Sequence, residues 1–292
     1  MPSLKEVRNK IVSVGSTMQI TSAMKMVSAA KLKRAQDAIT QMRPYANKLR
    51  DILENVSGSV DASENVYARN TNVKRVLIIA ISSNRGLAGA FNSNIIKKTN
   101  QLISNDFAGM EVTVLPVGKK VHDAFRRTKY VISGQDVPHH ASHLFDKLSF
   151  ENVSVVIEQV MNSFVNRQFD KVVVVYNQFR NAAVQIPVDE QLLPVVQSST
   201  EKKSSNADYI FEPSKEYIVS ELIPRSVKTQ FYKAMLDSFA SEHGARMTAM
   251  HKATDNAKAM QRDLKIMYNK ARQAAITKEI LEIVGGAEAL NG

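Results

Sequence analysis

Apolar residues recur at alternating intervals of three and four along the first sixty residues of the chain. Such spacing is typical of a helix whose apolar stripe packs along a second helix. The predicted stripe consists of Leu4, Val7, Ile11, Val14, Met18, Thr21, Lys25, Ser28, Leu32, Ala35, Ile39, Met42, Ala46, Leu49, Leu53 and Val56. We expect one long helix, bent at Pro44 because proline removes a backbone donor and crowds the preceding turn.

Three consecutive stripe positions, Thr21, Lys25 and Ser28, are not apolar. A neighbouring apolar stripe runs beside them, formed by Ile20, Met24 and Val27. We therefore predict a local register shift over this stretch, in which the second stripe replaces the first.

The last part of the chain again shows helical periodicity, from about Ser214 to Val284, with Pro224 near its start. The stripe predicted here consists of Met250, Ala253, Ala257, Met260, Leu264, Met267, Ala271 and Ala274. The Gly285-Gly286 pair predicts the end of this helix. About 70 helical residues span about 105 Å, which no compact domain of this size can bury.

Short β-rich runs alternate with helical segments in the middle of the chain, which indicates βαβ units. These runs are Val76 to Ile81, Val112 to Val117, Val172 to Tyr176 and Val184 to Val188. Because the runs are almost continuously apolar, we predict a mainly parallel sheet covered on both faces, as in Rossmann-like domains. The polar stretch from Ser198 to Asn206 predicts a loop or linker.

The predicted fold class is α/β, with a long antiparallel coiled coil of N- and C-terminal helices and a central Rossmann-like α/β domain. The predicted boundaries are 1–58, 73–197 and 208–292. Half of the eight C-terminal stripe positions are alanine, so the coil should be thin enough to fit inside a narrow protein sleeve. An ordinary helical stalk is the alternative on periodicity alone.

Composition and charge narrow the kinds of partner, chemical site and cellular location that the chain can have. The net charge of +11 favours acidic partners, whether nucleic acid, anionic membrane or acidic protein. The absence of cysteine excludes disulfides, thiolate metal sites and cysteine nucleophiles. No apolar run is long enough for a membrane span, and the N-terminal segment lacks the features of a signal or transit peptide, so we expect a bacterial cytoplasmic location.

Two segments have residue types that could form a ligand site, one for phosphate and one for a metal ion. The turn Asn84 to Gly89 follows a strand, but it is neither a complete G-x-G-x-x-G motif nor a Walker motif, so a structural glycine turn is favoured over a phosphate site. Three histidines near Pro138, namely His139, His140 and His143, have spacing that could hold a metal, although a polar surface loop explains them adequately. We therefore expect no metal and no cofactor.

Two other functional classes compete. A basic coiled-coil protein that binds nucleic acid or acts as a scaffold would explain the charge, but basic and acidic residues are interspersed and no recognition module is present. A nucleotide-using enzyme would explain the α/β domain, but the chain shows no catalytic constellation.

Five segments, which together extend along essentially the whole chain, resemble the gamma subunit of F-type ATP synthases. They are Ile20 to Lys31, Asn84 to Asn92, Ser241 to Met250, Ala253 to Ala257, and Tyr268 to Glu279 with its continuation to Ala287. The terminal segments are too long to arise from coiled-coil composition alone.

The resemblance implies a rotor shaft with no active site of its own. In that family the terminal helices form a left-handed antiparallel coil inside a ring of alternating alpha and beta subunits, and a c-subunit ring driven by protons or sodium ions turns the shaft. The implied partners are the alpha, beta and epsilon subunits and the c ring, with no nucleic acid. The implied location is the cytoplasmic side of the bacterial inner membrane, as a peripheral subunit.

The resemblance also implies contact residues. The positions that match the family's contacts with beta are Met24, Lys25, Lys31, Arg34, Arg272, Gln273, Thr277 and Glu279. The positions that match the contacts with the c ring and epsilon are Asp208, Tyr209, Phe211 and Glu212. Without the resemblance, most of the charges would be interpreted as solvated helix faces.

Overall fold

Two long helices and a four-stranded sheet make up the chain in the computed structural model, which describes residues 3–57, 66–67, 72–131, 137–195 and 215–291. The helices are α1 (Leu4–Ser57), α2 (Phe91–Gln101), α3 (Lys119–Phe125), α4 (Phe150–Val165) and α5 (Lys215–Asn291). The strands are β1 (Arg75–Ile81), β2 (Glu111–Val117), β3 (Lys171–Phe179) and β4 (Gln185–Leu193). The predicted α/β class with long terminal helices is confirmed.

The chain divides into two compact units. One unit, which we call the terminal coil, consists of Met1–Ser28 and Arg246–Gly292. The other, which we call the sheet unit, is Ala29–Ala245. The division falls within α1 and within α5, whereas the predicted boundaries 1–58, 73–197 and 208–292 separate element types and stay a prediction.

The sheet has the strand order β2-β1-β3-β4. Strand β1 pairs in parallel with β2 and β3, and β3 pairs antiparallel with β4. The prediction of a mainly parallel sheet is therefore confirmed, with one antiparallel edge strand. All four predicted apolar runs lie in strands or overlap them.

Helices cover both faces of the sheet. Alternate residues of β1 point to opposite faces, as the two-residue period of a strand requires. Leu77, Ile79 and Ile81 pack in the cluster that includes α4 and the sheet-unit part of α5. Val76, Ile78 and Ala80 pack in the cluster that includes residues of α2 and α3. Because both faces are covered, nearly every position of the central strands is apolar, which produces the continuous apolar runs in the sequence.

Helix α1 follows its predicted stripe from Leu4 to Leu49, and Pro44 lies inside it. The side chains of the last two predicted positions, Leu53 and Val56, lie outside the described ones. The predicted register shift is wrong. Thr21 and Ser28 are 9% and 2% exposed, whereas Ile20 and Val27 are 59% and 58% exposed. Thr21 stays in the seam because its hydroxyl donates to the Met18 carbonyl at 3.1 Å and accepts from the Thr254 hydroxyl of α5 at 2.8 Å.

Helix α5 differs from its prediction in two ways. The stripe positions Met260 and Met267 are 55% and 45% exposed, and Ala274 is exposed as well. The less exposed positions that replace them, one residue further along, are Gln261, Tyr268 and Ala275. The apolar pattern therefore placed five of the eight stripe positions correctly and misplaced three. At those three, a second stripe one residue further along competes, and contact with α1 selects it.

The second difference concerns the end of α5. The helix continues through Gly285 and Gly286 to Asn291, so the predicted stop is wrong. Nothing lies within 4 Å of a Cβ added at either glycine. Glycine in a helix interior costs only about 1 kcal/mol, which a helix of this length tolerates.

Candidate functional site

The two helical segments of the terminal coil run antiparallel. The Thr254 hydroxyl lies 2.8 Å from the Thr21 hydroxyl. A Cβ built on Gly15 would lie 3.1 Å from the Gln261 Nε2 atom. Val7 lines one groove together with Met267. Each step toward the N-terminus of α1 thus meets a later residue of α5, as an antiparallel pair requires.

The seam of this coil contains many small and polar residues beside its larger apolar ones. Alanine occupies four less exposed positions of α5, namely Ala253, Ala257, Ala271 and Ala275. The facing part of α1 contributes glycine, threonine and serine at Gly15, Thr21 and Ser28. Small seam residues allow close approach of the two backbones, so the rod is slender.

Large apolar side chains point outward from the terminal coil. Of the twenty exposed large hydrophobic residues in the described part of the chain, twelve belong to this unit. They are Val12, Ile20, Met26, Val27, Met260, Ile266, Met267, Ile276, Ile280, Leu281, Ile283 and Val284. Exposed apolar surface of this extent marks an interaction surface.

The residues predicted to contact beta do not form one cluster. Met24 and Lys25 are half-buried in α1, whereas the four on α5, Arg272, Gln273, Thr277 and Glu279, are exposed. In the antiparallel register, Arg272 lies opposite the first turn of α1. This places it about 30 Å along the coil from Met24, at 1.5 Å per residue. The predicted contact residues of the terminal coil therefore lie in two separate belts, one at Met24 and one at Arg272.

The remaining two predicted contacts, Lys31 and Arg34, are exposed on the part of α1 that belongs to the sheet unit. Among the described residues, Lys25, Arg34 and Arg272 form no ion pair. Asp208, Tyr209, Phe211 and Glu212, the predicted contacts with the c ring and epsilon, lie outside the described residues.

The turn after β1 is held by hydrogen bonds within the sheet unit. Asn92 Oδ1 accepts from the Ser83 backbone N–H at 3.0 Å. Asn84 donates to the Ser142 carbonyl at 2.9 Å and accepts from the Lys119 N–H at 3.0 Å. These bonds agree with the predicted structural role of the glycine turn.

The crevice where a doubly wound sheet ordinarily binds a nucleotide lies between β1 and β3, whose connections leave in opposite directions. Here helix α5 lies against it. Ser241 donates to the Asn177 carbonyl at 2.9 Å, and Asn177 donates to the Phe91 carbonyl at 3.1 Å. Ala245 packs with Phe91, and a Cβ on Gly244 would lie 3.2 Å from Ala182. Protein side chains therefore occupy the usual ligand position.

The histidines near Pro138 do not assemble a metal site within the described residues, where no group of three possible ligands converges. The His140 Nδ1 atom lies 3.2 Å from the Ser142 hydroxyl. Its ring also meets the His122 ring edge to face, with 5.3 Å between centroids. His139 is exposed, and so is His143 in the 3-10 turn Ser142–Phe145.

Sequence reasoning missed the seam residues Gly15, Thr254 and Gln261. A glycine inside a long helical stripe was the available signal, because glycine there costs stability unless a neighbour needs the space. Gln261 gave no such signal, since a glutamine beside Met260 suggests a solvated position.

Comparison with known proteins gives a consistent result. The ATP synthase family model matches residues 3–290. An ATP synthase gamma chain from Flavobacterium johnsoniae is 57% identical over 293 residues, covering all of both chains. One from Cytophaga hutchinsonii is 54% identical over 299 residues, with the same full coverage.

Solved structures are also similar. A chain of the Tetrahymena thermophila mitochondrial ATP synthase central stalk and c ring matches with a TM-score of 0.58 and 26% identity, covering 80% of this chain and 99% of that one. A chain of the Euglena gracilis mitochondrial ATP synthase matches the fold with a TM-score of 0.67 at 22% identity, covering 98% and 94%. Within the described residues, no helix has the length and apolar character that a bilayer crossing requires.

Proposed function

Because the chain belongs to the family of ATP synthase gamma chains, we propose that it is the central rotor shaft of a bacterial F-type ATP synthase. In this role it couples rotation of a c ring, driven by protons or sodium ions, to conformational change at catalytic beta subunits. The observation that carries the proposal is full-length similarity to gamma chains, together with the antiparallel terminal coil. The comparisons give no support to a nucleic-acid-binding or scaffold protein.

The shaft itself is proposed to be non-catalytic. The crevice between β1 and β3 is occupied by α5, so the sheet unit offers no nucleotide site at its switch point. ATP chemistry then belongs to the partner subunits. We propose that the chain lies peripherally on the cytoplasmic side of the inner membrane. Its similarity to a chain of the Tetrahymena central stalk and c-ring assembly supports the peripheral position beside a c ring.

We propose that the outward apolar residues of the terminal coil contact a sleeve formed by alpha and beta subunits. Methionines such as Met260 and Met267 suit this surface, because a flexible thioether adapts to differently shaped neighbours. An exposed ion pair contributes only about 0 to 1 kcal/mol, so charged contacts are too weak to transmit torque alone. Torque then passes mainly by shape, through a stiff rod that excludes volume from its sleeve.

The charged residues have a second role in this proposal. Met24, Lys25, Lys31 and Arg34 on α1 contact beta, and the basic groups among them bind acidic loops through hydrogen bonds that ionisation strengthens. The α5 members of the set act at the other belt: Arg272, Gln273, Thr277 and Glu279. These contacts set angular resting positions of the shaft.

We also propose that Asp208, Tyr209, Phe211 and Glu212 contact the c ring and the epsilon subunit. Aromatic residues give apolar contact area with one polar edge, which suits a wet interface.

Co-purification tests the assignment directly. The tagged chain, extracted from membranes with detergent, should retain alpha, beta, epsilon and c subunits at constant ratio. Retention on DNA that weakens with salt, without these subunits, would instead support the nucleic-acid class. ATPase activity of the purified chain alone would instead support the alternative of a nucleotide-using enzyme.

A double variant, Arg272→Ala with Gln273→Ala, tests the contact belt on α5. Loss of hydrogen bonds to a charged group weakens association by about tenfold for each 1.4 kcal/mol removed. We expect ATP-driven proton pumping and assembly to fall while the thermal stability of the isolated chain is unchanged, because both side chains are exposed. Lys258→Ala, also exposed on α5, is the matched control. Unchanged pumping in the double variant would contradict the role of this belt.

A further inference from the structure

A groove of about 490 Å³ lies within the sheet unit, between α1, α5 and the hairpin that β3 and β4 form. Its volume lies within the range of small-molecule sites, about 300 to 1,000 Å³. None of the described contact residues of the proposed rotor function lines this groove. The groove is therefore a feature of the sheet unit that the rotor function does not use.

One wall of the groove is apolar and belongs to α1. Its side chains, Ile39, Met42, Ala46 and Leu49, follow each other at intervals of three and four, so they share one face of the helix. From Ile39 to Leu49 this face extends about 15 Å, at 1.5 Å per residue. Phe179, half-buried at the end of β3, adds an aromatic surface. This wall can hold the elongated apolar body of a ligand.

The facing wall is polar, and its acidic side chains outnumber its basic ones among the described residues. Glu190 of β4 and Asp237 of α5 line it together with one cation, Lys233. The Tyr176 hydroxyl donates to Glu190 Oε1 at 2.6 Å. Burial, this hydrogen bond and the charges of Glu190 and Asp237 raise the pKa of Tyr176. Both carboxylates therefore lie near the same hydroxyl, on the wall that faces α1.

Lys233 neutralises Glu190 only in part. The Lys233 Nζ atom lies 3.9 Å from Glu190 Oε1, which is beyond hydrogen-bond distance, and 42% of the Lys233 side chain is exposed. Within the described part of the chain, Glu190 Oε2 and the Gln178 side-chain oxygen accept no hydrogen bond. A cationic group brought by a ligand can therefore donate to both oxygens.

We propose that this groove binds an amphipathic organic cation. Its apolar body lies along α1, and its ammonium or guanidinium head donates to Glu190 beside Asp237. Hydrogen bonds between ionised partners are the stronger ones, so the head fixes the orientation of the ligand. The net charge of +11 attracts anions to the chain as a whole, so a preference for cations would have to arise locally. The proposal concerns the chain itself and does not depend on the rotor function.

Decylammonium and decanoate test the proposal, because they carry alkyl chains of similar length and heads of opposite charge. The full chain contains no tryptophan, so Phe179→Trp gives the groove its sole indole fluorophore. Each probe is titrated below its critical micelle concentration at pH 7 while the indole emission is followed. We expect a saturable change with decylammonium, at a concentration about tenfold lower than with decanoate.

Two further substitutions, one on each wall, locate the binding. Glu190→Gln removes the charge that receives the head, and it should raise the dissociation constant of decylammonium about tenfold. Ala46→Phe fills the apolar wall and should weaken binding by a similar factor, because the alkyl chain loses its space. Glu111→Gln is the matched control, since Glu111 is exposed at the start of β2, and it should leave the dissociation constant unchanged.

Any of three results would overturn the proposal: decanoate binding as tightly as decylammonium, an emission change that does not saturate, or equal effects of Glu190→Gln and Glu111→Gln. If Phe179→Trp loses its helical circular dichroism, the melting temperature of the chain without that substitution replaces the emission, because a ligand of the folded state raises it. Decylammonium must then raise the melting temperature, and Ala46→Phe must remove most of that rise.

Discussion

Large apolar side chains are distributed differently in the sheet unit and in the terminal coil. In the sheet unit, all six residues from Val76 to Ile81 are 0% exposed, and helices cover both faces. In the terminal coil, Leu281 and Ile283 are 66% and 71% exposed, and small residues line the seam. The comparison teaches that burial of apolar side chains stabilises mainly the sheet unit, whereas the terminal coil exposes much of its apolar surface.

The largest effect should come from emptying the sheet-unit core. Phe231 is 0% exposed and packs in the cluster beside α4. Phe231→Ala should lower the free energy of unfolding by about 3 to 5 kcal/mol, because it removes buried contacts and leaves a cavity. Urea denaturation of the full chain measures this value. Met260→Ala, on the terminal coil, should change the free energy of unfolding by no more than about 0.5 kcal/mol. A loss equal to that of Phe231→Ala would contradict the difference between the two units.

A smaller effect of opposite sign is expected from one substitution made in each unit on the same helix. A Cβ added at Gly244 would lie 3.2 Å from the Ala182 backbone, whereas nothing lies within 4 Å of a Cβ added at Gly286. Gly244→Val should cost about 1 to 3 kcal/mol through overpacking. Gly286→Val should be neutral or stabilising by about 0.5 kcal/mol, because valine is the better helix former. Thermal unfolding distinguishes the two, and equal effects would show that α5 does not dock tightly at Gly244.

The smallest effect concerns how the stability of the sheet unit depends on pH, through Asp170 just before β3. Asp170 accepts hydrogen bonds from the backbone N–H of Lys74 and Arg75 and from the Arg75 side chain, at 3.1, 2.9 and 3.2 Å. Burial by itself would raise the pKa of Asp170, but these hydrogen bonds and the Arg75 charge outweigh it and lower the pKa. The contribution of Asp170 to the free energy of unfolding is therefore fully present above its unfolded-state pKa of about 3.9. It is lost as the pH falls through the folded-state pKa.

Asp170→Asn should consequently cost about 1 kcal/mol at pH 7 and less at pH 3. Denaturation at both pH values measures the difference. The exposed Asp255 on the coil, 3.4 Å from His251, is the matched position, and Asp255→Asn should change stability little at pH 7. A cost for Asp170→Asn that grows as the pH falls would refute the assigned direction of the pKa shift.

Much of the fold could be predicted from the sequence, because the patterns involved are local. The four apolar runs predicted strands, since continuous β-branched residues fit a sheet buried on both faces. The stripe from Leu4 to Leu49 predicted the less exposed face of α1, position by position. Resemblance in long terminal segments predicted the family. The individual contact residues stay predictions, because the partner surfaces that would select them are other chains.

By itself, the sequence determined which segments are helix or strand and which face of α1 is buried, because periodicity and side-chain type act over a few residues. The tertiary structure decided which of two adjacent stripes on α5 enters the seam, why Thr21 stays in it, and how α5 fills the crevice between β1 and β3. These outcomes depend on whether a particular side chain finds space or a hydrogen-bond partner. Such a partner lies more than two hundred residues away in the case of Thr21 and Thr254.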